Sequence, residues 1–292
     1  MSDVFETASP LAVAGSSSMR RRPQLTVIIG AVLVIALAII ALAAPLIAPF
    51  DPNAIDIMQR LEGSSAMHWL GTDHLGRDML SRLIYGARVS LGAVAVIIVL
   101  ILALGITIGG IAGFIGGRVD QWIMRGCDAF LTFPTFVLAM FMVGVLGTGM
   151  ANVVIAIALS HWAWYARLIR GLVLSMRERD YVAAARVAGA SRLTIFREHL
   201  LPGVLAQLMI LATLDIGHMI LHLAGLSFLG LGVAPPTAEW GVMINDAREF
   251  IWTQPGLMVW PGMMIFVTVM AFNLLGDALR DRLDPTQAEQ GH

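Results

Sequence analysis

The sequence predicts an all-α integral membrane protein with six transmembrane helices, and three observations predict it. Hydrophobic residues make up 58% of the 292 residues and charged residues only 13%, with a mean hydropathy of +0.79. A single soluble core of this length has no room for so much apolar surface. The apolar residues fall into six runs long enough to cross a hydrocarbon core of about 30 Å. All 19 basic residues are arginine, and a six-span topology puts 14 of them on one side and five on the other. By the positive-inside rule the richer side, which carries both termini, is cytoplasmic.

Residues 1–19 are rich in serine and alanine and bury no periodic face, and a cytoplasmic N-terminal tail is expected over 1–24. Arg20, Arg21 and Arg22 precede the first apolar run, Leu25 to Ile47, and hold its N-terminal end inside. Ala41-Leu42-Ala43 resembles a signal-peptide cleavage site, but the run exceeds an ordinary signal core and is read as a retained span. From Ala48 to Arg88 the chain is turn-rich and extracytoplasmic, with His68 and Trp69 placed at the interface. Asp73, Arg77, Asp78 and Arg82 have the spacing of a short charged helix. With His74 they read as a self-satisfied polar network in preference to a metal site.

The second span, Val89 to Gly113, leads into glycines at every fourth position, Gly105, Gly109, Gly113 and Gly117. That stripe makes a groove for close helix packing, within the chain or against another subunit. Arg118, Asp120 and Arg125 form a short inner loop, and the third span, Cys127 to Leu146, is kinked at Pro134. Gly147-Thr148-Gly149 is a tight outer turn. The fourth span starts near Asn152, carries His161-Trp162-Ala163-Trp164-Tyr165 and reaches the inner surface at Arg167 and Arg170. The fifth, Gly203 to Leu231, contains Asp215, His218 and His222. Pro235-Pro236 end it outside, and the stretch to Pro255 follows the outer interface with Trp240 and Trp252 as aromatic anchors. The sixth, Leu257 to Leu275, has Pro261 near its start and returns inside at Arg280 and Arg282. The chain thus divides into the tail 1–24, a first helix with its outer segment over 25–87, a five-helix core over 88–283, and a second cytoplasmic tail, 284–292.

Several function classes are disfavoured. A formal charge of −1 argues against a nucleic-acid binder, which needs a basic stripe. The single cysteine, Cys127, makes no internal disulfide and reads as a small packed hydrophobe. Without lysine the chain has neither a Walker A phosphate loop nor a Schiff-base nucleophile. Energy for any driven process has to come from another chain.

Between the fourth and fifth spans lies an arginine-rich island, Asp180 to Pro202. Ala183, Ala184 and Ala185 favour helix, Gly189 suits a left-handed turn, Ser191 caps a second short helix, and Pro202 opens a further one. Composition alone also fits an ordinary cytoplasmic loop. Read as a docking surface, the alanine face admits a partner backbone, while Arg179, Asp180, Arg186, Arg192, Arg197 and Glu198 orient it through charge.

The island resembles the EAA loop of ABC-importer permeases. Ala184, Ala185, Gly189, Leu201 and Pro202 match its spacing, Ala183 replaces the motif's glutamate, and His199 stands at its apolar position. The likeness runs from Arg20 to Pro285. The strings Gly71–Asp78, Leu226–Gly232 and Ala238–Arg248 resemble the second permease subunit of the peptide/nickel ABC importers. His161–Arg167 and Leu214–His222 are more similar to the nickel permeases than to the dipeptide ones. The resemblance implies a type I, methionine-importer-like permease fold with an extra N-terminal helix, in the bacterial inner membrane. It further implies a heterodimer with a paralogous permease, two ATPase subunits that bind ATP and magnesium, and a periplasmic solute-binding protein. The loop 174–202 would transmit ATPase movement, and the chain itself would carry no cofactor and no catalytic residue.

Asp215, His218 and His222 share a helix face, and His161 adds a third imidazole from the preceding span. A charged aspartate at a helix centre costs about 2.5–3.5 kcal/mol on insertion scales, so a role in solute passage stands beside plain hydrogen bonding between helices. Neutral imidazoles suit nickel or copper. No metal site is firmly assigned. An intramembrane metalloenzyme using His161, Asp215, His218 and His222 would lack the HExxH general base. A proton-driven transporter acting alone would be expected to show an internal repeat, and none is evident. A peptide permease is the remaining alternative.

Overall fold

A computed structural model describes residues 22–283, and its regular secondary structure is helical apart from an isolated bridge between Thr72 and Asp78. The expected tails fall almost wholly outside that range. In order the helices are α1 (Arg22–Leu42), α2 (Ala44–Ile47), α3 (Met79–Ile115), α4 (Gly117–Leu131), α5 (Thr135–Leu146), α6 (Met150–Arg177), α7 (Asp180–Val187), α8 (Arg192–Thr194), α9 (Leu201–Phe228), α10 (Trp240–Ala247) and α11 (Gly256–Leu283). Five helical stretches are long and apolar enough to cross a membrane, and α4 with α5 makes a sixth only as a bent pair.

That pair corrects the expected third span. The helix starts at Gly117, ten residues before Cys127, so Arg118, Asp120 and Arg125 are helical and not an inner loop. It breaks at Thr132–Pro134, and α5 leaves at 87° to α4. Proline disfavours helical backbone in the residue before it, which accounts for the break. The angle is held by contacts to α6: Arg170 grips Asp120 at 2.6 and 2.8 Å, Arg167 pairs with Asp128, and Phe130 meets Trp162 edge-on.

The glycine stripe packs inside the chain. A Cβ on Gly105 would lie 2.8 Å from that of Tyr165, one on Gly113 2.9 Å from the Arg170 carbonyl oxygen, and one on Gly109 would enter the backbone of Ala166. Helices α3 and α6 therefore touch backbone to backbone along Gly105, Gly109 and Gly113. Gly117 lies beyond the end of α3 and takes no part. Around this axis Ile97, Ile101, Ile157, Tyr165, Ile169, Leu208 and Met219 are fully buried, and α11 closes the bundle against α1 and α9.

On the outer side the second span begins at Met79, ten residues earlier than expected, because Asp78 caps it by accepting from the Ser81 N–H at 2.8 Å. Residues 73–77 are a loop, so the four charged positions do not make a separate helix. Arg77 and Arg82 are both 1% exposed and share Asp73, at 2.6 and 3.4 Å, while Asp246 adds a second carboxylate 3.4 Å from Arg77. Arg82 also donates to the carbonyls of Pro52 and Pro236. The polar-network reading holds for Asp73; His74 stacks on Phe250 instead. His68 is buried between Asp78 and Gln59, and Trp240 is fully buried with its indole N–H on the Leu83 carbonyl, so neither sits at the interface. Trp252 is 92% exposed, as an aromatic anchor requires.

Candidate functional site

The island folds as α7, a turn, and a helix that resumes at Arg192. Gly189 sits at φ +81°, the left-handed value the turn requires, and the Ser191 hydroxyl accepts from the Thr194 N–H at 3.1 Å as an N-cap. Pro202 stands in the first turn of α9, as expected, but the chain does not break ahead of it. From Arg192 to Phe228 the chain is one helical run, widened into a π turn at Ile195–Leu200. Proline cannot donate to the carbonyl four residues back and its ring crowds that carbonyl, so a widened turn just ahead of Pro202 relieves the clash. Val182, Ile195 and Leu200 are the buried anchors of this segment, and sequence reading passed over them as ordinary apolar residues. Arg179, Asp180, Ala183, Ala184, Arg186 and Arg192 face outward, Ala185 and Leu201 are half-buried, and Pro202 is exposed.

Within the bundle His161 of α6 and Asp215, His218 and His222 of α9 come together as one group. His161 Nε2 lies 3.2 Å from one oxygen of Asp215, and His218 Nδ1 lies 3.5 Å from the other. The Tyr165 hydroxyl, which sequence reading did not single out, donates to Asp215 at 3.2 Å. His222 Nδ1 is 2.8 Å from the His218 carbonyl, which can only accept, so that nitrogen carries the proton and Nε2 keeps its lone pair. An ionised Asp215 likewise makes His161 Nε2 the donor. In the neutral ring that leaves His161 Nδ1 with a lone pair, buried and without a hydrogen-bond partner. The two rings are neighbours, with centroids 6.5 Å apart. Each thus has one nitrogen oriented by an acceptor and the other free, the arrangement that outer partners impose on metal-binding histidines. Among the described residues no group of three or more His, Cys, Asp or Glu is placed to hold a metal ion.

The surroundings are polar at membrane depth. Trp162 lies near the middle of the 28-residue α6, and the α4–α5 break lies beside it. Thr132, Phe133 and Pro134 are exposed there, as is the Arg167–Asp128 pair, and His218 is 71% exposed. Broken backbone and charge are tolerated at this depth only against protein or water, so this face does not meet lipid. Beyond Arg167 and Arg170 the helix α6 continues to Arg177.

The model of the inner membrane component of binding-protein-dependent transport systems matches residues 105–288. The chain belongs to this family. A further match, to the N-terminal transmembrane domain of oligopeptide transport permease C, covers residues 26–63 of the permease. The permease is 62% identical over 254 residues to the nickel transport system permease protein NikC of Escherichia coli strain K12, an overlap covering 87% of this chain and 92% of that protein. It is 44% identical over 253 residues to the glutathione transport system permease protein GsiD of Pectobacterium atrosepticum, over 86% and 84% of the two chains. It is thus a multi-pass inner-membrane subunit of an ABC importer, as the resemblance implied, and a transport component with no catalytic role of its own.

Proposed function

We propose that the permease forms half of the import path for nickel, as ion or chelate, and that Asp215, His161, His218 and His222 line that path. The observation that carries this reading is the pair of oriented imidazoles, His161 and His222, each presenting a free nitrogen at mid-membrane beside an exposed helix break. Two nitrogens are too few to trap an ion. A passing nickel exchanges one or two waters for imidazole and leaves again, as transit demands. The relative named for nickel transport supports the same cargo.

The break and the exposed Arg167–Asp128 pair support a reading in which this face turns to a paralogous permease. Two ATPases, which bind ATP and magnesium, would dock on the segment 174–202, and a periplasmic binding protein would deliver the solute. ATP closes the paired ATPases, Arg179 and Asp180 hold the contact, and the rigid stretch through Ala183–Ala185, Gly189, Leu201 and Pro202 passes the movement to α9. In Gly189→Val a β-branched residue would be forced to φ +81°. The expected result is ATP hydrolysis retained with uptake reduced about tenfold or more, since a misplaced contact of this kind costs on that scale. Uptake equal to wild type would remove the lever.

The cargo is tested by accumulation of radiolabelled nickel at trace concentration under excess magnesium, in cells with and without this chain. Loss of nickel uptake with peptide uptake unchanged is expected. Unchanged nickel uptake in cells lacking another nickel importer would move the cargo to a peptide, which the glutathione-transporting relative and the match over residues 26–63 favour.

A further inference from the structure

On the cytoplasmic side, a cavity of about 800 Å³ opens between the end of α3 and the island, lined among others by Phe114, Ile115, Arg177, Ala183, Arg186 and Arg192. Three guanidinium groups face it against a single carboxylate, Glu178. Arg177 gives one N–H to the Gly113 carbonyl at 3.1 Å, and Arg186 makes one long bond, 3.4 Å, to the Arg177 carbonyl. The Arg192 guanidinium makes no hydrogen bond or ion pair with any described residue. Ala183 lines the same cavity, at the position where the EAA pattern has glutamate, and brings no carboxylate to it. The cavity therefore has positive charge to spare.

Its depth selects the source of a balancing anion. Ile115, 58% exposed, is the last residue of the 37-residue apolar helix α3, and Phe114 precedes it. Those two side chains end the hydrocarbon-facing part of α3, and the arginines begin where the lipid phosphates lie. Basic pockets between transmembrane helices on the cytoplasmic side take anionic lipid headgroups for this reason.

We propose that this cavity binds the phosphate of an anionic phospholipid of the cytoplasmic leaflet, with Arg186 and Arg192 as its ligands and Phe114 and Ile115 against the glycerol and first methylenes. The lipid would bridge the ends of α3 and α6 to α7 and α8. Its binding does not depend on which solute is carried.

The test is native mass spectrometry of the full-length permease, with the subunits that copurify, transferred from mixed phosphatidylglycerol and phosphatidylcholine. One phosphatidylglycerol per permease is expected to survive delipidation. In Arg186→Gln/Arg192→Gln, both exposed positions whose loss should leave the fold intact, retention should fall about tenfold or more, at about 1 kcal/mol per arginine. Arg248→Gln, on the outer side, serves as the matched control and should retain the lipid. Equal retention by the double variant and wild type would overturn the proposal. So would displacement of the lipid by millimolar inorganic phosphate, which would make the site one for free anions. Loss of the lipid whenever the ATPases are bound would overturn it as well, by assigning the arginines to a partner carboxylate.

Discussion

Gly109→Ala is expected to lower the yield of folded permease several-fold or more, measured as the monodisperse membrane-extracted peak in size-exclusion chromatography. The added methyl enters the backbone of Ala166, and no rotamer change can move a backbone aside. Overpacking a well-filled site costs about 1–3 kcal/mol even where side chains can shift. Here α3 and α6 must separate, which also opens the contacts at Gly105 and Gly113. Against a net stability of about 5–15 kcal/mol that loss is large. Gly262→Ala, in α11 with no atom within 4 Å of the new Cβ, is the control. It should be neutral or slightly favourable, because alanine stabilises helix over glycine by about 1 kcal/mol. Equal yields for Gly109→Ala and Gly262→Ala would show that the two helices do not touch at this point.

Asp215→Asn is expected to reduce nickel uptake about tenfold or more while leaving the folded yield near wild type. Loss of a group that orients metal-binding histidines costs about 10–100-fold in affinity or activity. Asparagine keeps the shape of aspartate and still accepts a hydrogen bond from Tyr165, so the bundle remains packed. It lacks the charge that holds His161 with Nε2 as donor and Nδ1 free. His161→Gln should give a similar loss, and the double variant should lose little more than either alone, since both act on the same imidazole. Unchanged uptake in Asp215→Asn, with normal yield, would reduce the group to hydrogen bonding between α6 and α9.

The membrane class, the apolar runs and their direction were legible in the amino-acid order because hydropathy, arginine placement and turn chemistry are local properties. The same holds for the left-handed turn at Gly189 and the Ser191 cap, whose causes lie within a few residues. Asp215, His218 and His222 were recognisable as one face of a helix for the same reason. What joined His161 and Tyr165 to them is the packing of α6 on α9, across 54 and 50 residues of chain. The near-right-angle break at Thr132–Pro134 was marked in the sequence only as a proline. Its angle is decided by Asp120 and Asp128 meeting Arg170 and Arg167, 50 and 39 residues further on. Trp240 looked like an interfacial anchor until Gly86, with no side chain, received its indole ring in the core. Periodicity assigns a residue to a face of its own helix, but only the fold decides what that face meets, because the meeting depends on groups far along the chain.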